Sequence, residues 1–261
     1  MPSPEYIRRR VLRHLLLGAA SVAMVLFVYV NVPTDFILRK WNLATAYVSL
    51  AFFALSLLIG PWNVLRSRGN PVSIDLRRDV GIWAGLLAVL HSGIGLFIHK
   101  MGGPARYFFY GPDEPHRVPW RTDLFGLANY TGLGSTLLLL MLLAISNDIS
   151  LRRLGTPRWK SLQRWNYGAF ALMAVHAVAY QVLSKRVLPV VVVFAGVILC
   201  VLATQLAGLQ RRRAAARGLQ RLAGFVQRAF GAGAFVAQHL QVAIQRLQLR
   251  LRIRQLVVEM G

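Results

Sequence analysis

The chain has 261 residues, of which 56% are hydrophobic and 15% charged, and its 31 Lys and Arg against 9 Asp and Glu give a net charge of +22. Apolar residues form blocks of about 16–23, the length at which a helix crosses a bilayer core of roughly 30 Å, so an ordinary soluble protein is excluded. The basic residues fall between these blocks, and we expect them to set membrane topology rather than to bind nucleic acid. Cys200 is the only cysteine, which excludes intramolecular disulfides and multi-cysteine metal sites.

The blocks predict an all-α integral membrane protein with a six-transmembrane-helix bundle, because each span in lipid must satisfy its own backbone hydrogen bonds. Residues 1–207 form the predicted transmembrane domain, and residues 208–261 form a basic amphipathic cytoplasmic tail. The first block follows several arginines, as in a signal peptide, but no small-residue cleavage site follows it, so we expect an uncleaved anchor. The predicted spans are Leu15–Val30, Leu43–Gly60, Val80–His99, Leu124–Ser146, Trp165–Leu183 and Val187–Ala207.

Lysine and arginine predict the orientation of these spans. They concentrate in the N-terminal segment, in the second and fourth connections and in the tail, all of which fall on one side of the predicted bundle. By the positive-inside rule that side is the cytoplasm. We therefore expect a multi-pass protein of the inner (plasma) membrane with both termini in the cytoplasm.

Two segments outside the spans carry distinct patterns. The connection 100–123 is rich in Gly, Pro and aromatic residues, and we expect an ordered cap or docking surface on the outer face. In the tail, Leu219, Leu222 and Phe225 recur at helical spacing, which indicates an amphipathic helix on the anionic inner leaflet. A solvated basic tail without a partner is the alternative, and residues 247–254 fit a strand as well as a helix.

Two histidines inside the predicted spans are candidates for function, because an ionisable residue in lipid is costly. His91 and His176 each lie 11 residues after the start of a span that runs from inside to outside, which places both near the bilayer middle. Two imidazoles at one depth can bind the two faces of a haem iron. Small residues such as Gly85 and Gly95 would make room for the macrocycle. Alternatively, each histidine serves only as a hydrogen-bond partner between helices.

The positions of the other histidines, and the absence of acidic residues from the predicted spans, narrow the range of possible functions. His14, His116 and His239 are interpreted as surface residues. No Asp or Glu lies within the predicted spans, which argues against a catalytic metal site with a third protein ligand and against a proton-coupled transporter. No Gly-rich phosphate loop or dinucleotide fingerprint occurs, so we expect no FAD or NAD domain in this chain.

Two segments resemble the third and fifth helices of the ferric reductase-like transmembrane domain family. That family includes ferric reductases, NADPH oxidases and the MsrQ/YedZ-like haem-binding membrane subunits. The segments are RRDVGIWAGLLAVLHSGIGLFIH (77–99) and WKSLQRWNYGAFALMAVHAVAYQ (159–181). The resemblance covers about residues 10–207 and implies a six-helix core that binds haem.

The resemblance also implies the number of haems. Two-haem members carry a second histidine on each of these helices, and the corresponding positions here are Arg77 and Gln163. We therefore expect one haem b with His91 and His176 as axial ligands, closer to the MsrQ type, although many MsrQ-like members keep a histidine where Gln163 stands. His99, further along the same face as His91, is interpreted as a group that supports an axial ligand, part of a quinone site, an alternative ligand or a plain interfacial residue.

These features predict a b-type cytochrome that carries electrons across the membrane. The donor would be a membrane quinol or a separate cytoplasmic flavoprotein, and the acceptor a periplasmic reductase docked on 100–123 or ferric iron at the outer face. The chain would then be the haem-binding membrane component of an oxidoreductase system, with no catalytic residue of its own assigned. The alternative is a haem-free transporter subunit or assembly scaffold whose histidines pack helices.

Overall fold

The fold was obtained as a computed structural model, which describes residues 3–66, 74–98, 103–112, 114, 116–184 and 188–229. In these ranges the regular structure is helical, and one isolated bridge pairs Phe109 with Trp120. A 3₁₀ turn spans Pro104–Tyr107. The helices are α1 (Pro4–Asn31), α2 (Ile37–Leu65), α3 (Ile74–Gly95), α4 (Leu124–Ile145), α5 (Asp148–Gln163), α6 (Trp165–Leu183) and α7 (Leu188–Ala229).

Four helices in the described part of the chain are long and apolar enough to cross a membrane. They are Pro4–Asn31, Ile37–Leu65, Leu124–Ile145 and, within α7, Val191–Leu222. These four agree with predicted spans one, two, four and six. The histidine-bearing helices α3 and α6 are not among them, because α3 begins with charged residues and both carry polar residues in their length. The count of six spans therefore stays a prediction.

Side-chain caps explain where several helices begin. The Ser3 side chain accepts a hydrogen bond from the Tyr6 amide at the start of α1. Asp123 accepts from the Gly126 amide at 2.7 Å at the start of α4. Both caps satisfy amides that have no partner inside the helix.

Helix α5 occupies part of a connection for which the sequence predicts no helix. The side chain of Asn147 caps it by accepting from the Ser150 amide at 2.8 Å. Gly155, with φ 70°, interrupts it in a conformation that residues with a Cβ rarely adopt. The segment is polar and lacks an apolar period, which is why no helix is expected there from the pattern.

The fold divides into two compact units. The first comprises Met1–Ser56 and Arg78–Ile198, and the second comprises Leu57–Arg77 and Leu199–Gly261. The first unit contains His91 and His176, and the second contains Pro61, a proline within α2.

In the second unit a side chain from α7 compensates for Pro61. Proline has no N–H, so the carbonyl of Leu57, four residues earlier, has no helical partner. The Gln205 Nε2 atom donates to that carbonyl at 2.8 Å. At Gly208, a Cβ atom would lie 3.2 Å from the Cβ of Pro61, so α2 and α7 approach closely here.

Helix α7 continues beyond the predicted end of the sixth span. It runs through position 208 to Ala229, so the first part of the tail is helical, as its apolar spacing predicts. Leu222 and Phe225 on this part are exposed. Residues 230–261, which contain His239 and the segment 247–254, lie outside the described residues.

The described part of the 100–123 connection is ordered around its bridge. The Tyr110 amide donates to the Pro119 carbonyl and the Arg121 amide to the Phe108 carbonyl, both at 2.8 Å. Tyr107 is only 2% exposed, and its hydroxyl donates to the Gly95 carbonyl at 2.8 Å. This connection therefore packs against the end of α3. Its position on the outer face stays a prediction.

A buried carboxylate ties α1 to α3. Asp79 is fully buried, and its oxygens lie 3.2 Å from the Arg13 Nε atom and 3.3 Å from the His14 Nε2 atom. The expectation of His14 as a plain surface residue is wrong, because its half-buried ring contacts this carboxylate. Asp79 lies just before the predicted third span, but in the structure α3 starts five residues earlier than Asp79 and includes it.

Candidate cofactor site

The structure brings together His91 of α3 and His176 of α6. Their ring centres are 6.0 Å apart, and the ring planes cross at 77°. The sequence predicts that these two histidines lie at one depth, and in the structure their rings are neighbours in an edge-on arrangement.

Helix α2 fixes the ring of His91. The ring Nδ1 atom lies 3.0 Å from the carbonyl oxygen of Asn42, and the Asn42 side-chain Nδ2 atom donates to the His91 carbonyl at 2.9 Å. A carbonyl oxygen can only accept, so Nδ1 carries the proton in this arrangement. The Nε2 atom then keeps a lone pair and is free to act as a ligand.

Helix α4 fixes the ring of His176 in the same way. Its Nδ1 atom lies 2.7 Å from the carbonyl oxygen of Ala128, a residue with no exposed surface. Gly132 lies one turn further along α4, where a Cβ atom would come within 2.5 Å of that Nδ1 atom. Close approach of α4 to the ring therefore requires glycine at this position. The sequence reasoning missed Gly132, although a glycine inside an apolar span is the signal that could have found it.

This geometry fits a haem held by two histidines. A histidine ligand commonly donates its second ring N–H to a carbonyl, which orients the ring and strengthens it as a ligand, and both rings show that contact. The 6.0 Å between the ring centres would leave room for one metal ion bound by a nitrogen of each ring, at metal–nitrogen distances of about 2.0–2.1 Å as in zinc sites.

A cavity of about 900 Å³ surrounds the two histidines. It lies within the range of roughly 300–1,000 Å³ that ligand and cofactor pockets usually occupy. Its walls are mostly apolar, with a few polar groups such as Ser92 and Thr136, whose hydroxyls are 2.7 Å apart. Side chains from α2, α3, α4, α6 and α7 and from the 3₁₀ turn line it.

Aromatic side chains line the cavity on the side of His176. The ring of Tyr180 lies 5.0 Å from the His176 ring, and its hydroxyl donates to the Asn129 side chain at 2.9 Å. Phe125 lies next, with its ring 6.2 Å from Tyr180 and 5.7 Å from Tyr107 of the 3₁₀ turn. These residues connect the site with the folded part of the 100–123 connection.

The remaining predicted site residues lie in different places. Gly95 lines the cavity, and a Cβ there would lie 3.2 Å from the Asn42 side chain. Gly85 is not among the lining residues, and a Cβ there would lie 2.9 Å from the Leu143 Cγ atom, so this glycine permits α3 to pack on α4. His99 lies outside the described residues.

At Gln163 the structure has a neutral hydrogen-bonding group. The Gln163 Nε2 atom lies 3.4 Å from the Ser146 hydroxyl, which is next to the end of α4. The amide thus joins the end of α5 to the end of α4.

No family model matches the chain, and no solved structure matches it. Among curated proteins, it is 31% identical over 182 residues to the protein-methionine-sulfoxide reductase heme-binding subunit MsrQ of Rhodospirillum rubrum. The match covers 69% of this chain and 75% of the relative. The two chains are therefore similar over most of their lengths.

Proposed function

Because the chain belongs to the MsrQ-like family, we propose that it is a haem-binding membrane protein that carries electrons, with His91 and His176 as the axial ligands of one haem b. The observation that carries this proposal is the facing pair of imidazoles, each with Nδ1 against a main-chain carbonyl. The haem, when bound, supplies the one-electron oxidation and reduction of its iron.

The protein holds and orients this group. The carbonyls of Asn42 and Ala128 keep both histidines in the tautomer whose Nε2 atom has a free lone pair. The mostly apolar walls favour retention of an apolar macrocycle. Gly132 lets α4 approach the His176 ring closely, and Gly95 leaves room for the Asn42 side chain.

The proposed location limits which electron donors and acceptors can reach the haem. In the proposed orientation both termini lie on the cytoplasmic side of the inner membrane. A membrane quinol or a separate cytoplasmic flavoprotein would then supply electrons. A periplasmic reductase docked on 100–123 would accept them, in keeping with the relative's name as a reductase subunit. Ferric iron at the outer face is the second acceptor, by resemblance to ferric reductases.

A haem-free role is the competing function, and one observation favours it. Each Nδ1 contact joins two helices, α3 to α2 and α6 to α4, as helix-packing histidines do. A transporter subunit or assembly scaffold would use the histidines in this way. This reading predicts that the purified protein has no Soret band and tolerates His91→Leu.

A reduced-minus-oxidised absorbance spectrum of the detergent-purified protein, with haem measured per polypeptide, separates the two functions. We expect a low-spin b-type spectrum with about one haem per chain, since two neutral imidazoles give a six-coordinate iron. His91→Ala or His176→Ala should abolish or convert that spectrum. His116→Ala, at a ring that stacks on Tyr110 far along the chain from both ligands, should leave it unchanged.

Three results would count against the proposal. Absence of haem from protein made in haem-sufficient cells would favour the packing role. Two haems per chain would show that the interpretation of Arg77 and Gln163 is wrong. An unchanged spectrum in both alanine variants would place the ligands elsewhere.

A further inference from the structure

One permanently charged side chain lines the cavity among the described residues, that of Arg39. The other lining residues are apolar, hydroxyl-bearing, amide-bearing or histidine. Arg39 is an exposed residue of this lining, and its guanidinium, which stays charged under all physiological conditions, can pair with an anion that the cavity holds.

Arg39 is placed on the histidine face of α2. It lies three residues before Asn42, whose carbonyl holds the His91 ring, so the two residues share a face about one turn, or roughly 4.5 Å, apart. Arg39 lies nearer than Asn42 to the start of α2. Ile98, beyond the end of α3, and Ser184, beyond the end of α6, line the same cavity. Arg39 therefore lies with the ends of the neighbouring helices, at what we call the loop end of the cavity.

A haem b brings two carboxylates into such a cavity. An ionised carboxylate buried without a partner is strongly unfavourable. A guanidinium can donate two parallel hydrogen bonds to one carboxylate, and such charge-assisted pairs are stronger than neutral hydrogen bonds.

We propose that Arg39 binds a haem propionate at the loop end of the cavity and thereby sets the direction in which the carboxylate edge of the haem points. This inference rests on the proposed haem function. It adds a binding residue that neither the histidine pair nor the family resemblance identifies.

Lys40 provides a matched control. It is the next residue along α2 and has the same charge, but it is not among the lining residues, and its Nζ atom lies 5.4 Å from the centre of the Tyr29 ring. A general effect of positive charge would appear in variants of either residue. An effect of a carboxylate contact would appear only at Arg39.

The first experiment compares the full-length haem-loaded protein with Arg39→Gln, Arg39→Lys and Lys40→Gln variants. Haem release to excess apomyoglobin and the midpoint potential are measured for each. We expect Arg39→Gln to release haem about two- to fivefold faster, as for loss of an ion pair at an exposed residue, and to have a lower potential because an uncompensated anion stabilises ferric iron. Arg39→Lys should lie between this variant and wild type, and Lys40→Gln should match wild type.

The second experiment removes the carboxylates from the ligand. The apoproteins are loaded with haem dimethyl ester, and release is measured again. We expect wild type and Arg39→Gln to release the ester at the same rate, since the proposed contact no longer exists. A persistent difference would mean that Arg39 acts by packing, which would overturn the proposal.

The outcomes separate this inference from the function on which it rests. Wild type that binds haem through both histidines, with equal release from Arg39→Gln, would overturn the Arg39 assignment alone. Wild type without haem would overturn the proposed function and the assignment together.

Discussion

Gly132 determines how closely α4 can approach the His176 ring. A Cβ atom at this position would lie 2.5 Å from Nδ1 and 2.8 Å from Cε1, distances that non-bonded atoms do not adopt. The ring itself is held by the Ala128 carbonyl on the same helix. Any larger side chain must therefore displace either the ring or the helix that orients it.

We predict that Gly132→Ala lowers the haem content of the purified protein several-fold. Overpacking of this kind costs about 1–3 kcal/mol, and here the strain falls on a proposed iron ligand. The measurement is haem per polypeptide together with the reduced-minus-oxidised spectrum. Gly93→Ala on α3 is the control, since a Cβ there meets nothing within 4 Å, and it should retain full haem content. A wild-type spectrum in Gly132→Ala would contradict the proposed ligand position.

The sequence predicted which histidines meet but not what holds them. Equal spacing from the predicted span starts singled out His91 and His176, and their ring centres are 6.0 Å apart in the structure. Their partners are the main-chain oxygens of Asn42 and Ala128, and every residue carries such an oxygen, so no residue type marks the correct one. Only the packing of the helices selects these two carbonyls.

Helix α2 contains a proline whose missing hydrogen bond is replaced from α7. The replacement is the Gln205 side chain, which donates to the Leu57 carbonyl. The contact should matter more than an ordinary glutamine hydrogen bond inside an apolar bundle, because the carbonyl has lost its own helical donor.

We predict that Gln205→Leu destabilises the protein when Pro61 is present but has a smaller effect in Pro61→Ala. The alanine restores an N–H that can bond the Leu57 carbonyl, so the glutamine becomes redundant. The thermal unfolding of all four proteins in detergent gives the coupling, which we expect to be about 0.6–1.7 kcal/mol, as for side-chain hydrogen bonds between membrane helices. Equal effects of Gln205→Leu in both backgrounds would show that the two sites are independent.

The lengths of the apolar blocks predicted which segments form long helices more accurately than they predicted where those helices begin and end. Helix α6 has the predicted bounds, because its apolar block is limited by polar residues on both sides. Helix α3 begins six residues before the predicted Val80, since charged residues extend it, and so the buried Asp79 was missed. Helix α5 was missed entirely, because it is polar and broken at Gly155.

At the scale of the whole molecule, ion pairs connect helices that are distant in the sequence. Asp148 at the start of α5 lies 2.8 Å from the Arg78 guanidinium of α3 and 3.3 Å from that of Arg10 on α1. The hydrogen bond from Arg78 lowers the pKa of Asp148 below its usual value of 3.8. Because the folded protein favours the ionised form, this carboxylate contributes stability above that value.

We predict that the contribution of Asp148 is lost on acidification. A lowered folded pKa means that stability is present above about pH 4 and decreases as the pH falls through the folded pKa. Asp148→Asn should be less stable than wild type at pH 7, by about 1 kcal/mol or less because Asp148 is partly exposed, and the difference should shrink toward pH 3.

The measurement is thermal unfolding in detergent across that pH range. Glu5→Gln is the matched control, because the Glu5–Arg9 pair is far more exposed and belongs to one helix. It should unfold like wild type at every pH. A pH-independent difference between wild type and Asp148→Asn would show that packing, not charge, is responsible.

The use of main-chain oxygens to hold both rings has a consequence for inheritance. An acceptor that belongs to the backbone survives replacement of its own side chain, provided that the helix keeps its place. Which nitrogen of each imidazole carries the proton therefore depends on the spacing of the helices and not on the side chain at the acceptor position. A lineage can exchange the side chains at positions 42 and 128 and still keep both ring contacts, as long as the helices stay in place.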